Sequence, residues 1–398
     1  MLLIIPELSM GGAQRSISSL SLELAKMHQV WLVIFNKNND IAYSYGGELL
    51  SLDVVAGRNW FHKLNSFVLR VIRLRKLKKK LNIDVSISFL EGADYINILS
   101  RLTDKTVLSV RGSKRHDETM VGRFSWLRNK ILIPWLYSKA HRIVTVNHGI
   151  AHELENYYGL KKSKFVIIGN FYNTDEIIRL STEPKSPKMN RLYDDSVLIT
   201  TGRLAPEKGL KPLVKIFHRL KQKKTSLRLI LIGDGPVYIE LVELCEELGL
   251  VLSTTSDFDA LPDVVLLRNQ SNVFKYLKGA TLYLMNSSSE GFPNGLAEAM
   301  ICKVPVVSTD CPYGPREILA PEFSFSGSLC LPYISQNGVL MPEIKNSEDE
   351  TSWVEMLTFA LERRDAMLQL AERAYERISF CNQESILAKW NGVILEAI

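Results

Sequence analysis

The stretch that decides the fold runs from residue 283 to residue 319 and reads YLMNSSSEGFPNGLAEAMICKVPVVSTDCPYGPREIL. An apolar segment that ends at Met285 predicts a buried strand, and the small polar residues after it are typical of a strand's carboxyl end. A turn rich in glycine and proline follows, then a short apolar helix and a second strand over residues 303–308. Strands joined by helices in this way form parallel sheets, whose ligands bind outside the carboxyl ends of the strands.

Two acids, Glu290 and Glu298, lie eight residues apart across this turn. Glu290 falls in the loop, where a ligand can touch it. Glu298 falls in the first turns of the predicted helix, near free backbone amides and the positive end of the helix dipole. A carboxylate at such a place suits hydroxyl groups, and the amides suit phosphate oxygens. The alternative is a surface acid and an acid that only stabilises the start of a helix, and the spacing alone does not separate the two.

A second loop, residues 202–210, follows a strand predicted over residues 196–202 and reads GRLAPEKGL. Arg203 and Lys208 lie five residues apart in it, ahead of a predicted helix. Two such cations can grip a diphosphate, since arginine offers a bidentate fork and lysine a point charge. Exposed cations are common in loops, so the motif by itself leaves a structural role open.

These two segments resemble the retaining GT-B glycosyltransferases of family four. That family has two glutamates separated by seven residues and a GR-x-x-x-EKG donor loop, and the chain matches both patterns. The resemblance implies that Arg203 and Lys208 neutralise the leaving nucleoside diphosphate. It also implies that Glu290 steadies the donor sugar, as the third catalytic residue, and that Glu298 holds the ribose.

The resemblance extends the donor site to three glycine-containing turns. The implied donor-binding residues are Gly12, Gly202, Phe292, Asn294, Gly295, Leu296 and Glu298. Two departures stand out. Lys303 occupies a helix end where the family usually has a glycine, which suits a left-handed cap. Gln14 replaces a glutamate that usually follows the Gly-Gly turn of the N-terminal half.

Polar residues 111–118 follow a strand predicted over residues 106–110, and this position makes them candidates for a substrate site. Arg111 suits an anionic or polar group of the substrate. His116 can orient or polarise a substrate hydroxyl, although a solvated surface histidine is the alternative. The family carries polar residues here in a loose pattern, so the resemblance adds an acceptor-side role for Arg111 and His116 only weakly.

The length of 398 residues, with 46% hydrophobic and 23% charged residues, indicates two globular domains. Alternating strands and helices indicate an α/β fold. The resemblance specifies the GT-B architecture, two doubly wound Rossmann-like domains that face each other across a cleft. The predicted domains are residues 1–180, which bind the acceptor, and residues 195–375, which bind the nucleotide sugar. Residues 181–195 predict a polar linker, and a C-terminal helix over residues 376–398 is expected to cross back to the first domain.

Charge is distributed unevenly, with 25 Lys and Arg against 14 Asp and Glu in residues 1–175. Residues 61–81 predict a helix with an apolar stripe that packs on the core. The stripe contains Phe61, Leu64, Phe67, Val71, Leu74, Leu77 and Leu81. The basic residues of the same helix are Lys63, Arg70, Arg73, Arg75, Lys76, Lys78, Lys79 and Lys80. This basic face is either simply solvated or lies against an anionic membrane. Basic residues without interleaved aromatics do not favour nucleic acid.

Further features concern targeting and cofactors. The N-terminus lacks the basic region of a signal peptide, and no apolar run approaches the ~20 residues that span a bilayer. Five scattered cysteines without a CxxC pair indicate reduced thiols in the cytoplasm. His148 and His152 have a metal-like spacing but no evident third ligand, and the sequence has no DxD-type pair. We therefore expect no metal and no other cofactor, because the protein's own cations would serve in the metal's place.

An apolar helix with two tryptophans is predicted over residues 122–139, packed in the core or facing a membrane.

The sequence thus predicts a retaining, metal-independent hexosyltransferase. It would move a sugar from a nucleoside diphosphate, most simply UDP, to a glycan or lipid-linked acceptor in polysaccharide biosynthesis. The expected location is cytoplasmic, at the inner face of the membrane through residues 61–81. Two alternatives remain open at this point. One is a sugar-nucleotide epimerase on the same fold, and the other is a non-catalytic partner that binds nucleotide sugars or lipid.

Overall fold

The structure is a computed structural model that describes residues 1–9, 11–37, 41–57, 59–116, 123–322 and 327–396. The chain forms two compact units. Unit 1 comprises residues 1–171 and 383–398, and unit 2 comprises residues 172–382. The sequence placed the change of domain between residues 180 and 195 and the returning segment at residues 376–398.

Unit 1 is built on a parallel sheet. Its strands are β1 Leu2–Ile4, β2 Trp31–Ile34, β3 Glu48–Ser51, β4 Val85–Phe89, β5 Lys105–Val110, β6 Arg142–Thr145 and β7 Phe165–Ile167, in the order β3-β2-β1-β4-β5-β6-β7. Its helices are α1 Gly12–Leu24, α2 Trp60–Leu81, α3 Glu91–Leu99, α4 Arg123–Leu127, α5 Ile133–Tyr137, α6 His148–Asn156 and α16 Gln383–Leu395. A π-helical turn, Arg128–Leu132, joins α4 to α5, and a short 3-10 turn, Lys162–Lys164, precedes β7.

Helices cover both faces of this sheet because successive strand residues point to opposite sides. Leu3 on β1 packs in one cluster with residues of α1 and α16, and the ring of Trp390 stacks on Phe89 at 6.2 Å. The neighbouring residues Leu2 and Ile4 pack in a second cluster with α2 and α3. The strands are therefore apolar on both sides, as the sequence predicts for a parallel sheet.

Unit 2 has a second sheet, in the order β10-β11-β9-β8-β12-β13-β15-β14. Its strands are β8 Ser196–Thr201, β9 Leu227–Ile232, β10 Leu252–Ser253, β11 Val264–Leu267, β12 Leu282–Met285, β13 Val306–Thr309, β14 Tyr333–Ile334 and β15 Val339–Met341. Its helices are α7 Thr174–Ser181, α8 Pro187–Leu192, α9 Leu210–Lys223, α10 Tyr238–Glu247, α11 Phe274–Leu277, α12 Asn294–Ile301, α13 Gly314–Leu319, α14 Ser347–Glu362 and α15 Arg364–Ser379. Among the described residues only β14 pairs antiparallel, with β15. The predicted doubly wound α/β class is confirmed for both units.

Unit 2 begins and ends at the same place. The backbone N–H of Tyr172 donates to the carbonyl oxygen of Cys381 at 3.1 Å. Residues 172 and 382 form an isolated parallel bridge. The first and last residues of the unit are thus held side by side.

The segment predicted as a linker, residues 181–195, instead contains helix α8. The Ser186 side chain accepts a hydrogen bond from the N–H of Met189, and Pro187 occupies the first helical position, so both ordinary start signals are present. Met189 and Leu192 are fully buried in the core of unit 2. The polar composition reflects the outer face of a packed helix, and the linker prediction is wrong.

Helix α2 also differs from its prediction. Leu74 is buried and Phe67 is half-buried, but Phe61 and Leu64 of the predicted core stripe are exposed. Lys78, predicted on the basic outer face, is buried instead, because a partner lies across the helix layer. Its Nζ donates to Oδ2 of Asp104 at 2.8 Å and to Oδ1 of Asn97 at 2.7 Å.

Two further predicted elements have different bounds. The second strand of the opening stretch begins at Val306, not at Lys303, since Lys303 still belongs to the end of α12. The helix predicted over residues 122–139 is divided into α4, the π-helical turn and α5, and its first residue lies outside the described residues.

Candidate functional site

Two loops meet at the carboxyl edge of the unit 2 sheet because β8 and β12 are neighbours in it. Nδ2 of Asn286 donates to the carbonyl oxygen of Gly209 at 2.9 Å, and the N–H of Ser288 donates to that of Glu207 at 2.9 Å. Gly209 has φ +58°, and a Cβ there would lie 2.2 Å from the Asn286 carbonyl oxygen. The glycine is therefore required for both conformation and close approach, and the loop 202–210 is fixed against the loop after β12.

This contact brings together two of the three predicted catalytic residues. Nζ of Lys208 lies 2.5 Å from Oε1 of Glu290. Ser287 donates its hydroxyl hydrogen to the same oxygen at 2.7 Å. The backbone of Glu290 is held as well, since its N–H donates to the carbonyl oxygen of Pro312 and its own oxygen accepts from the N–H of Tyr313. Within the described part of the chain, Oε2 of Glu290 accepts no hydrogen bond, and the side chain is 13% exposed.

The ion pair also fixes the charge of the lysine. Burial by itself lowers the pKa of Lys208, but the Glu290 carboxylate and its hydrogen bond raise that pKa above the ordinary value overall. Lys208 is thus a permanent cation at neutral pH, held at the end of two neighbouring strands. Burial, and then the charge of Glu290, also hold the pKa of the adjacent Cys311 thiol well above its usual range, which keeps this thiol protonated.

Arg203, the third predicted catalytic residue, lies in the same loop but points into solvent. Its side chain is 62% exposed and forms an ion pair with Glu207. Gly202 before it has φ +138° and has open space where a Cβ would be, so it serves the backbone conformation. Arg203 therefore lies in the same loop as Lys208, but its side chain pairs with Glu207 and not with Glu290.

Helix α12 carries most of the predicted donor-binding residues, and its packing explains several of them. A Cβ on Gly295 would lie 2.3 Å from the hydroxyl oxygen of Tyr283, so the glycine lets the helix approach β12. Leu296 is fully buried in the core, and only its backbone can meet a ligand. Glu298 is buried as the fifth residue of the helix, in its second turn.

The first residue of α12 and the turn before it contact the start of unit 2. The hydroxyl group of Tyr172 donates to Oδ1 of Asn294 at 2.7 Å. The rings of Tyr172 and Phe292 lie 6.4 Å apart. This turn is therefore positioned by tertiary contacts and not by its own sequence alone.

Lys303, which stands at the end of α12 where the family usually has a glycine, adopts the conformation that this position requires. Lys303 has φ +57°, the left-handed conformation that a glycine would adopt here. Its Nζ lies 2.6 Å from Oε2 of Glu372 and 4.8 Å from the ring centre of Tyr375. These contacts offset the unfavourable conformation of a residue with a side chain, and the helix ends where the sequence predicts.

In unit 1 the predicted residues lie at the carboxyl edge of the first sheet. Gly12 is the first residue of α1 and is exposed. Arg111 donates from Nη2 to the hydroxyl oxygen of Ser16 on α1 at 3.2 Å, bonds to Oδ1 of Asn170, and lies over the ring of Phe89. Arg111 is thus anchored beside the start of α1. The outer residues of the polar run, Asp117 and Glu118, lie outside the described residues.

His116 is exposed, and its backbone N–H donates to the hydroxyl oxygen of Ser113 at 2.9 Å. The loop is held from the other side by Glu153 on α6, which sequence reasoning missed. Oε1 of Glu153 accepts from the N–H groups of Lys114 and Arg115 at 2.7 and 3.2 Å. The structure therefore presents His116 on a fixed loop.

A buried polar cluster behind this loop was also missed. Glu91 accepts from Nε and Nη2 of Arg128, both at 2.6 Å, and from the Tyr95 hydroxyl, with Lys114 at 3.3 Å. Burial works to raise the pKa of Glu91, but Lys114 and Arg128 lower it to about 2. Beside it, burial raises the pKa of Asp94 to about 7. The available sequence signal was Glu91 and Asp94 directly after a strand, but the cation partners lie far along the chain.

Among the described residues, no group of three or more His, Cys, Asp or Glu side chains could hold a metal ion. Within the same residues, no helix combines the length and the apolar character needed to cross a bilayer.

Comparisons with known proteins cover nearly the whole chain. The sequence model of Glycosyltransferase Family 4 matches residues 10–176, and that of Glycosyl transferases group 1 matches residues 181–377. An uncharacterized glycosyltransferase of Methanocaldococcus jannaschii is 30% identical over 284 residues, which are 67% of this chain and 67% of that protein.

A second relative comes from Campylobacter jejuni. It is named N-acetylgalactosamine-N,N'-diacetylbacillosaminyl-diphospho-undecaprenol 4-alpha-N-acetylgalactosaminyltransferase. It is 28% identical over 324 residues, 80% of this chain and 83% of that protein. Among solved structures, Anabaena HepE in complex with UDP and glucose has a TM-score of 0.73 at 15% identity, over 99% of each chain. With both family models matched in tandem over two doubly wound α/β units, the chain belongs to family 4 of the GT-B glycosyltransferases.

Proposed function

We propose that the protein is a retaining glycosyltransferase that takes a sugar from a UDP-sugar and attaches it to a lipid-linked glycan without using a metal. The observation that carries this proposal is the Lys208–Glu290 ion pair in the donor loop. It holds a permanent cation beside a carboxylate whose second oxygen accepts no hydrogen bond from the described residues. The cation suits a leaving diphosphate, and the carboxylate oxygen suits a donor sugar.

In the proposed reaction, the bond between the anomeric carbon and the β-phosphate oxygen breaks, and the UDP leaves with the electron pair. The acceptor hydroxyl oxygen forms the new bond on the same face of the sugar, and its proton passes to the leaving phosphate oxygen. Lys208 stabilises the charge that develops on the diphosphate. Arg203 adds a second cation when it leaves Glu207, and Glu290 steadies the sugar through Oε2.

The nucleotide and the acceptor are supported by the relatives. HepE, which shares the fold, is seen with UDP and glucose. The Campylobacter relative is named for a diphospho-undecaprenol acceptor. A lipid-linked diphosphate acceptor also agrees with the excess of cations in the first half of this chain.

The test is the release of nucleoside diphosphate from a panel of UDP- and GDP-sugars, by the wild type and by Lys208→Ala. We expect turnover of a UDP-sugar and a loss of ~100–1,000-fold in Lys208→Ala, because the lysine acts mainly on the transition state. Lys211→Ala is the matched control, since Lys211 is an exposed lysine on α9 paired with Glu240. Full activity of a folded Lys208→Ala protein, or inversion of the anomeric configuration by NMR of the product, would contradict the proposal.

A further inference from the structure

Three charged residues lie in the second half of the opening stretch, which reads DCPYGPREIL over residues 310–319, and the proposed function gives them no task. Residues 310–313 form the loop between β13 and α13. Strand β13 pairs with β12, so this loop lies beside the loop that carries Glu290. It is therefore a direct neighbour of the candidate site.

The two loops are joined through their backbones. The N–H of Glu290 donates to the carbonyl oxygen of Pro312 at 2.8 Å. The carbonyl oxygen of Glu290 accepts from the N–H groups of Tyr313 and Gly314 at 2.9 and 3.2 Å. Gly314 also approaches closely, since a Cβ there would lie 2.5 Å from the carbonyl oxygen of Gly291. The backbone of Glu290, and with it the direction of its side chain, therefore depends on where the neighbouring loop is held.

An ion pair closes this neighbouring loop on itself. Nε of Arg316 donates to Oδ1 of Asp310 at 2.6 Å, and Nη2 of Arg316 bonds to Oδ2. Asp310 follows β13 directly and Arg316 lies in the first turn of α13, so the pair spans residues 311–315. The side chains of Arg316 and Asp310 are only 10% and 2% exposed. A bidentate pair of this kind fixes the orientation of both side chains as well as their distance.

The same ion pair is anchored to other parts of unit 2. The N–H of Asp310 donates to the carbonyl oxygen of Met341 on β15 at 2.8 Å. Nη2 of Arg316 donates to the carbonyl oxygen of Gly327 at 2.9 Å. Oδ2 of Asp310 accepts from the N–H of Leu329 at 3.3 Å. These anchors lie outside the loop that carries Glu290, so the pair ties residues 311–315 to the body of the unit.

A buried ion pair contributes more to geometry than to stability. Desolvation of the two charges offsets most of their attraction, and apolar residues of similar volume often replace such a pair without loss of stability. We propose that Arg316 and Asp310 are positioning residues for glycosyl transfer, which hold residues 311–315 where their backbone orients Glu290. This inference rests on the proposed function, in which Glu290 steadies the donor sugar.

Cys311, inside the spanned segment, offers a direct reporter of the loop. It is 2% exposed, and burial holds the pKa of its thiol well above the usual range. Wild-type Cys311 should therefore react slowly with a maleimide, because reaction needs both access and the thiolate. A loop released from the ion pair would expose the thiol. Cys330 is exposed and serves as the internal standard for labelling.

The test uses the full chain with two variants of the ion pair. Arg316→Lys keeps the charge but loses the planar fork, and Asp310→Asn keeps the size of the side chain but removes its charge. Arg228→Lys is the matched control. The Arg228 side chain is 13% exposed and pairs with Asp195 at 2.8 Å and Asp263 at 3.1 Å. This second ion pair lies at the amino edge of the same sheet, near the start of β9.

We expect both variants of the ion pair to lower kcat for a UDP-sugar by about ten- to a hundredfold, because a small displacement of a positioned group is costly in the transition state. KM should change little, since Lys208 lies on another loop. Labelling of Cys311, identified by mass spectrometry, should be at least about tenfold faster in both variants. Arg228→Lys should keep the kcat and the slow Cys311 labelling of the wild type, whatever it loses in Tm.

Three results would overturn the inference. They are a wild-type kcat in both variants of the ion pair, an equal loss of kcat in Arg228→Lys, and slow Cys311 labelling in the variants that lose kcat. The second result would reduce the effect to a general loss of stability, and the third would separate kcat from the loop. A wild type that turns over no UDP-sugar would instead contradict the proposed function, and the labelling would still decide whether the ion pair holds the loop.

Discussion

At the scale of single residues, three contacts orient Glu290. Lys208 and Ser287 both donate to Oε1, and the backbone of Glu290 pairs with that of Tyr313. Ser287 is itself fixed, because its carbonyl oxygen accepts from the hydroxyl of Thr309 at 2.8 Å and its side chain is buried. The carboxylate therefore presents Oε2 in one orientation before any ligand arrives.

Ser287→Ala should lower kcat about tenfold with little change in KM, because the lost hydrogen bond to a charged group is worth about 1.5 kcal/mol and orients a group for the transition state. The measurement is steady-state kinetics with a UDP-sugar. Ser289→Ala, which removes a half-buried hydroxyl of the same loop, is the control and should be near wild type. Ser287→Thr keeps the donor and should restore part of kcat. An unchanged kcat in Ser287→Ala would mean that Lys208 alone orients Glu290.

At the scale of a secondary-structure element, the buried Lys78 holds the basic helix α2 to the sheet of unit 1. Its side chain is 1% exposed, and its Nζ lies among Asp104, Asn97 and the hydroxyl of Ser86. Burial lowers the pKa of Lys78 to about 8, and Asp104 opposes that shift. The group is still mostly charged at pH 7. An ion pair buried this deeply fixes the rotation of α2 and so decides which side faces outward.

Lys78→Ala should reduce the free energy of unfolding by about 3–5 kcal/mol, since Asp104 would be left as a buried charge without its cation. Lys79→Ala is the matched control, because Lys79 is the next residue and is exposed. Urea denaturation followed by circular dichroism measures both. Equal stability of the two variants would show that water replaces the ammonium group beside Asp104.

At the scale of the whole molecule, the proposed function assigns to Lys208 and Arg203 the charge neutralisation that a metal ion can give a diphosphate. Lys208 and Arg203 lie on one loop, and no cluster of three metal-ligating side chains occurs in the part of the chain that the structure describes. Transfer from a UDP-sugar should therefore proceed at an unchanged rate in excess EDTA. The measurement is UDP release with and without chelator. A complete loss that Mg²⁺ restores would show that the diphosphate is neutralised by a metal.

Features that depend on neighbouring residues were predictable from the sequence, and features that depend on distant ones were not. The end of the strand at Met285 and the helix that follows the loop after it were predicted from local patterns, and the left-handed position of Lys303 was expected from the family resemblance. The outward side of α2 did not, because a helix with apolar residues on two sides can pack on either one, and Asp104 decides the choice. The partners of Glu91 likewise come from segments that only the folded sheet brings together.

For the candidate donor site, the sequence and the family resemblance together named Lys208 and Glu290 but not their direct contact. That contact exists because β8 and β12 are adjacent, a fact of sheet order that no local pattern contains. The sequence showed Ser287 as a small residue after a strand, but only the structure shows that its hydroxyl group donates to Glu290. Arg203 was predicted equally with Lys208, and the structure separates the two by their exposure.

Unit 2 is inserted within unit 1 along the chain, and the hydrogen bond between Tyr172 and Cys381 holds the two ends of the insertion together. Residues 172–382 can be excised as one uninterrupted reading frame whose two ends already meet. A fragment that stops at residue 171 lacks α16 and leaves bare the apolar surface around Phe89 that Trp390 covers. Unit 1 must instead be produced with residue 171 rejoined to residue 383, and a short flexible bridge suffices because closing a short loop costs little entropy.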